Sequence, residues 1–369
     1  MKKNNTRTQS SRRAARPKPM PITIGMDLGD RHSEYGVLDQ NGEVQKRGSV
    51  ATTKAGMRRE FGRRKHSRIA IEVGSHSHWV NSLLRKLGHE VIVANARRVR
   101  LITESSLKND KLDARTLARL ARVDPQLLHP IQHRSEQAQE HLTMLRARGN
   151  LVEARTQLVN AARGLVKPFG ERLAKCDADQ MRRERLEGLP AGLRHILEPL
   201  LETIEELTRQ IAVYNAQIEK LAREQYPRTA LLEQVYGVGT LIALTFVLTL
   251  GDAQRFRKSR DVGCYFGLRP RQSQSGESDP QLGISKEGDQ NARQMLVQAA
   301  QCILRRDAPD TDLKRWGLKR CERGGKSAKK KAIVGVARKL AVLLHHLWVS
   351  GEVYEPLRNS QMAQRPTAA

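Results

Sequence analysis

Two apolar runs in the first hundred residues end on a carboxylate: Pro21-Ile-Thr-Ile-Gly-Met-Asp27 and Ser67-Arg-Ile-Ala-Ile-Glu-Val-Gly74. Their length and β-branched composition predict buried strands. A buried strand end rejects an uncompensated charge, so Asp27 and Glu72 each call for a metal ion or a basic group. Two more acids, Asp110 and Asp113, open an apolar-periodic run inside Ser105–Arg122. Residues three apart share one helical face, so Leu112, Leu117, Leu120 and Ala121 pack inward while the two acids lie together on another side. By itself such a pair is an ordinary acidic helix start, favoured by the helix dipole. With Asp27 and Glu72 upstream, it makes four carboxylates at the ends of elements.

The elements between these acids set their order. His32–Leu38 is expected as a second strand and Val44 onward as a third, joined by the Asn41-Gly42 turn signal. A polar helix follows over Thr53–Arg64, then the Glu72 strand, a helix over His78–Leu87, a strand over Glu90–Ala94 and the Asp110 helix. This is the order of a ribonuclease-H-like α/β domain, expected over 21–130. In it, Asp27, Glu72, Asp110 and Asp113 converge at one end of the sheet, as a cluster does that serves two divalent ions roughly 4 Å apart in phosphoryl transfer. All-oxygen donors with no cysteine nearby select Mg2+ or Mn2+ over zinc. His32, His76 and His78 lie close by but read as surface or packing residues, outside the catalytic set.

Charge names the partner class. Lys and Arg total 66 against 39 Asp and Glu, a net +27 over 369 residues, so a nucleic acid is expected ahead of a membrane surface. The hydrophobic fraction of 38% is enough for real cores in two or three domains. No run of about 18 uninterrupted apolar residues suggests a membrane span. Residues 1–20 are basic with no acid, read as a disordered tail and not a signal peptide. Cytoplasmic residence on the nucleoid is expected. Cys176, Cys264, Cys302 and Cys321 have no metal-knuckle spacing and read as reduced thiols.

From 131 to 226 the spacing predicts a helical, coiled-coil region. Leu142, Leu145, Val152, Val159, Ala162 and Val166 form one stripe, broken at Pro168-Phe-Gly170. Leu197, Leu200, Ile204, Leu207, Ile211, Tyr214, Ile218 and Leu221 form a second, in heptad steps. An antiparallel hairpin that also supports oligomerisation is expected. A mainly helical C-terminal domain over 227–355 follows, opening on a helix-hairpin-helix-like pattern at Gly237-Val-Gly239. It contains a basic, Ser-rich loop in which Ser273, Ser275, Ser278 and Ser285 are indistinguishable as nucleophiles on physical grounds, an amphipathic helix over Arg293–Leu304, a basic loop over Lys326–Lys331 and an apolar helix over Ile333–Val349. Residues 356–369 read as a tail.

Ile-Gly-Met-Asp27, Ile-Glu72-Val-Gly, Lys-Asn-Asp110-Lys-Leu-Asp113-Ala, a coiled coil, Tyr-Gly-Val-Gly-Thr and Phe-Gly-Leu-Arg-Pro-Arg-Gln-Ser-Gln-Ser-Gly follow one another in this chain. In that order, over about residues 21–350, the chain resembles the DEDD transposases of the insertion-sequence one-hundred-ten family. The resemblance implies a RuvC-like N-terminal domain and a C-terminal transposase domain with a catalytic serine. It also implies an element-encoded bridge RNA that selects donor and target DNA. It gives Asp27, Glu72, Asp110 and Asp113 as a metal-binding tetrad and the serine of Pro-Arg-x-x-x-Ser-Gly, here Ser275, as nucleophile. Ser275 would face the tetrad of another subunit, so a homo-oligomer, dimer or tetramer, is implied. Glu277 and Asp279 depart from the neutral or basic linker expected there and leave Ser273 as a second candidate.

Three functions compete. The first is a transposase that exchanges strands through a serine–DNA intermediate. The second is a RuvC-like junction endonuclease that hydrolyses DNA without one, for which Ser275 is dispensable. The third is a non-catalytic nucleic-acid-binding protein, against which the four carboxylates argue.

Overall fold

The computed structural model describes residues 22–39, 41–95, 110–274, 278, 280, 282–322, 324, 325 and 327–360, the side chains of 110–112 excepted. The chain forms two compact units, one ending at His133 and one beginning at Arg134.

The first unit is built on a five-stranded mixed sheet: β1 (Thr23–Asp27), β2 (His32–Leu38), β3 (Val44–Ala51), β4 (Arg68–Glu72) and β5 (Glu90–Ala94). The strand order is β3-β2-β1-β4-β5. β1 pairs antiparallel with β2 and parallel with β4, which in turn pairs parallel with β5. Among the described residues, helices α1 (Lys54–Phe61), α2 (Ser77–Lys86) and α3 (Asp110–Val123) pack with the sheet. The strands and helices read from sequence are present, with ends shifted by one to three residues; Thr53, for instance, caps α1 by accepting from the Gly56 N–H. The expected start of the α3 helix, before Asp110, lies outside the described residues.

Because β1 and β4 are central, both of their faces are covered. Ile24, Met26, Ile69 and Ile71 pack with Met57 and Phe61 of α1 and Val80 and Leu84 of α2. On the other face Ala70, Ile92 and Ala94 pack with Leu117 and Ala121 of α3. The alternation follows from the two-residue period of a strand, and it puts Gly25 against α3. There the fit is extreme: a Cβ on Gly25 would stand 1.9 Å from the Ala114 carbonyl oxygen and 2.5 Å from the Ala118 nitrogen.

A polar knot closes the opposite side of the sheet. The Tyr35 hydroxyl and the Arg64 guanidinium both donate to Glu60, and Lys46 Nζ lies 3.4 Å from the same carboxylate. Burial alone would raise the Glu60 carboxyl, but the Tyr35 and Arg64 hydrogen bonds outweigh it and hold it at about 2.

The second unit starts with two long helices, α4 (Glu136–Leu165) and α5 (Ala191–Gln225). Gln137 bonds Gln225, Arg148 bonds Asn215 and Arg155 bonds Thr208. One residue number climbs as the other falls, so the pair is an antiparallel hairpin. Its turn begins where expected, with a 3-10 turn at Lys167–Phe169 and Gly170 at φ +77°. Leu201 is fully buried in the α5 stripe while Leu200 is only partly so, a local shift from the expected heptad. At the root, Leu142, Leu145, Ile218 and Leu221 share a core with Leu244 and Leu248 of α7 (Thr240–Leu250).

Among the described residues the remaining α-helices are α6 (Thr229–Glu233), α8 (Arg260–Tyr265), α9 (Gln290–Ile303), α10 (Asp312–Cys321) and α11 (Ala328–Ser350). Between α6 and α7, Gly237 takes φ +85° and packs on Ala299, Cys302 and Ile303 of α9, so the first arm of the expected helix-hairpin-helix is only five residues long. Lys329–Lys331, expected in a loop, belong to α11, because the apolar period of the helix extends back through Ala332. By length and composition α11 could cross a membrane, but Val336, Leu340, Leu344 and Leu347 are buried in the core of this unit.

Two outcomes follow from this packing. Gly25→Ala forces α3 off the sheet and is expected to destabilise the first unit by about 3 kcal/mol or more, read as faster amide exchange in β1 and α3. Glu60 sits below its ordinary value of 4.5, so its contribution is present in full above about pH 4.5 and fades toward pH 2. Exchange protection of α1 in wild type should exceed that in Glu60→Gln at pH 7, and the difference should vanish near pH 2.

Candidate active site

The sheet brings two acids side by side. Met26 pairs with Ile71 in the parallel β1–β4 ladder; Asp27 and Glu72 are the next residue of each strand, about 4.8 Å apart in the strand-to-strand direction. Period two then fixes their side. Gly25 and Ala70 face α3, so Asp27 and Glu72 face it as well. The turn of α3 resting on Gly25 carries Asp113, immediately before Ala114. All three carboxylates are half-buried. Asp110 is the first residue of α3, and its side chain lies outside the described residues.

Local structure holds the Asp27 end in place. The chain leaves β1 through Gly29, where a Cβ would meet the His32 carbonyl oxygen at 2.2 Å. Thr52 donates to the Gly29 carbonyl at 2.9 Å, and its oxygen lies 2.8 Å from Ser33 Oγ in a buried setting. Beyond the turn Asp30 lies 3.4 Å from His76 Nε2, and Trp79 Nε1 donates to His76 Nδ1 at 3.1 Å. That bond makes Nδ1 the acceptor and leaves the ring proton on Nε2, toward Asp30. His76 is thus part of a short chain of hydrogen bonds, His78 lies against His133 with ring centroids 5.2 Å apart and planes tilted by 58°, and His32 starts β2 exposed.

Among the described residues no three His, Cys, Asp or Glu side chains form a metal-holding group. The donor chemistry at the strand ends nevertheless suits a hard divalent cation, since Asp27, Glu72 and Asp113 offer carboxylate oxygen alone.

In the second unit the residues flanking the Ser-rich segment pair antiparallel. Pro270 bridges Ile284, the Arg271 N–H donates to Gly283 O, and the Ser285 N–H donates to Arg269 O. The root of this paired arm is tight: Gly267 (φ +67°) and Gly288 (φ +75°) pack so closely that a Cβ would stand 2.3 Å from Glu287 O and 2.1 Å from Tyr265 O. Arg293 of α9 clamps the root, one guanidinium nitrogen donating to Phe266 O at 3.2 Å and Glu287 O at 2.9 Å. The serines that sequence could not separate now differ. Ser285 is at the root, where its hydroxyl lies 3.5 Å from the Glu287 N–H. Ser273 is exposed beyond the paired part, Ser278 is also exposed, and Ser275 lies outside the described residues. Sequence reading missed Arg293; the only signal was the glycine pair flanking the arm.

Residues 24–169 match a family model described as a transposase of the DEDD type, and residues 229–315 match the "Transposase IS116/IS110/IS902 family". The chain is 30% identical over 297 residues to the putative transposase y4pF/y4sB of Sinorhizobium fredii, covering 78% of this chain and 74% of the relative. It is 30% identical over 248 residues to the transposase for insertion sequence element IS1328 of Yersinia enterocolitica, covering 64% and 71%. The chain belongs to the IS110 family of transposases. A further relative is the transposase for insertion sequence element IS1111A of Coxiella burnetii, 29% identical over 291 residues, 76% of this chain and 77% of that one. This IS110-family transposase is a DNA-processing enzyme. Its four candidate acids fall in the first matched segment and the Ser275 arm in the second.

The clamp yields a test. Arg293→Lys keeps the charge but loses the planar fork. Protease sensitivity within 269–285 is expected to rise and DNA cleavage to fall by on the order of 10²-fold, the effect of a small misplacement of reacting groups, while the α4–α5 hairpin keeps its exchange protection.

Proposed function

We propose that this transposase excises and inserts its element by serine-mediated strand exchange guided by an element-encoded RNA, with Asp27, Glu72, Asp110 and Asp113 as its metal-binding tetrad and Ser275 as nucleophile. The reading rests on one observation: Asp27 and Glu72 end adjacent parallel strands on the face where α3 brings Asp113. We read the first unit as a ribonuclease-H-like, RuvC-like domain, since the strand order β3-β2-β1-β4-β5 with the acids at the β1 and β4 ends suits that fold. The helical hairpin is read as a coiled coil that supports a dimer or tetramer, and the α6–α7 turn as a backbone contact of helix-hairpin-helix type.

In this reading the Ser275 oxygen forms a bond to a DNA phosphorus and the bond to the deoxyribose oxygen breaks; that oxygen takes up a proton and later reverses the step on the partner strand. Mg2+ or Mn2+, when bound, activates the attacking oxygen and stabilises the leaving one. The carboxylates would supply the oxygen donors for that ion, and Ser275 lies in the segment between the paired, Arg293-clamped ends. Sequence choice falls to base pairing between RNA and DNA. The enzyme then works in the cytoplasm, on the nucleoid.

The decisive experiment incubates protein, magnesium, element-derived RNA and labelled element-end DNA and resolves protein–DNA adducts on a denaturing gel. A covalent band is expected in wild type, absent in Ser275→Ala and retained in Ser273→Ala. Asp27→Asn should lower it by about 10²-fold or more, the loss typical of removing one transition-state-stabilising group. Cleavage without a covalent band, unchanged by Ser275→Ala, would replace this reading with a RuvC-like junction endonuclease.

A further inference from the structure

The end of the second unit carries a cluster of cations that the reaction does not use. Trp316 of α10 lies across α11 at Gly335, where a Cβ would come within 3.0 Å of the indole ring. Two cations meet on this ring: the Arg320 guanidinium carbon is 4.8 Å from its centroid and Lys339 Nζ is 4.5 Å. Lys331, Gly335 and Lys339 are four apart and share one face of α11, and Arg320, Lys331 and Lys339 are all exposed. Acids pair with cations elsewhere in this unit, Arg305 with Asp307, Arg315 with Asp310 and Arg358 with Glu352. Among the described residues no carboxylate forms an ion pair with Lys319, Arg320, Lys329, Lys330, Lys331 or Lys339.

Stability does not explain this arrangement. Like charges converge, and Lys329–Lys331 sit in the first turn of α11, where cations oppose the helix dipole. An indole holding two cations suits a different purpose: the ring and the aliphatic stems fix the charges in place while their outer sides stay open. Fixed, unpaired cations on one exposed face are the footprint of phosphate recognition. The cluster also lies past residue 315, where the second family match ends.

We infer that the Arg320–Lys331–Lys339 face around Trp316 is a binding surface for the phosphodiester backbone of a nucleic-acid duplex. It adds affinity without sequence preference, and it is independent of the serine and the acidic tetrad. Both a DNA duplex and a folded RNA carry this chemistry.

The test measures binding of full-length protein to a labelled element-end DNA duplex and, separately, to a labelled RNA hairpin of unrelated sequence, by fluorescence anisotropy at several salt concentrations. For R320Q/K331Q/K339Q the slope of log affinity against log salt should shrink by about 2 to 3 on at least one probe, close to one unit per lost phosphate contact. The probe affected identifies the source of the backbone. R305Q/R315Q/R358Q, which removes equal charge from cations already paired with acids, should leave the slope unchanged. The charge-keeping R320K/K331R/K339R should retain wild-type slopes, which separates lost charge from lost folding. Unchanged slopes for the glutamine variant on both probes, or an equal drop in the paired-arginine control, would overturn the assignment.

Discussion

The candidate site depends on the approach of one helix to one strand. With no side chain at Gly25, the α3 backbone comes down onto β1 until Ala114 and Ala118 nearly touch it. Any larger residue would lift the helix and carry Asp113 away from the strand ends. The acids are therefore placed by the backbone contact of helix and strand. Small residues on both sides of the contact, Gly25 on the strand and two alanines on the helix, are what make it possible.

Much of this was legible in the sequence, for physical reasons that differ from residue to residue. Asp27 and Glu72 stood out because a charge at the end of an apolar strand needs an explanation, and the period of two then carried each to the side that α3 covers. The Asn41-Gly42 turn and the apolar run of β5 marked their elements in the same local way. Gly25 was not legible as the seat of a helix, since a glycine inside a strand says nothing about an element that arrives ninety residues later. Lys329–Lys331 looked like a loop because three lysines in a row conceal the apolar period that resumes at Ala332. Ser273 and Ser285 could be told apart only by the pairing of the arm, which is a long-range fact.

The two units hold their candidate residues differently. In the first, carboxylates stand on strands and on a seated helix, with Thr52 and Ser33 fastening the turn beyond Asp27. In the second, the described ends of the Ser-rich segment are held where they meet the helices, by Gly267 and Gly288 with positive φ and by Arg293.

The α4–α5 hairpin has a mechanical consequence. Its root is locked into the core beside Leu244 and Leu248, whereas its far end is built from turns around Met181 and Leu186 that pack on the hairpin itself. From Leu145 to Leu165 the helix rise amounts to about 30 Å. A stiff rod held at one end amplifies angle into distance: a tilt of about 5° at the root sweeps the far end through roughly 3 Å over that length. The same rod acts as a gauge, because lengthening or shortening the turns at the far end leaves the spacing at the root untouched, while a single residue inserted into either helix would rotate every contact beyond it.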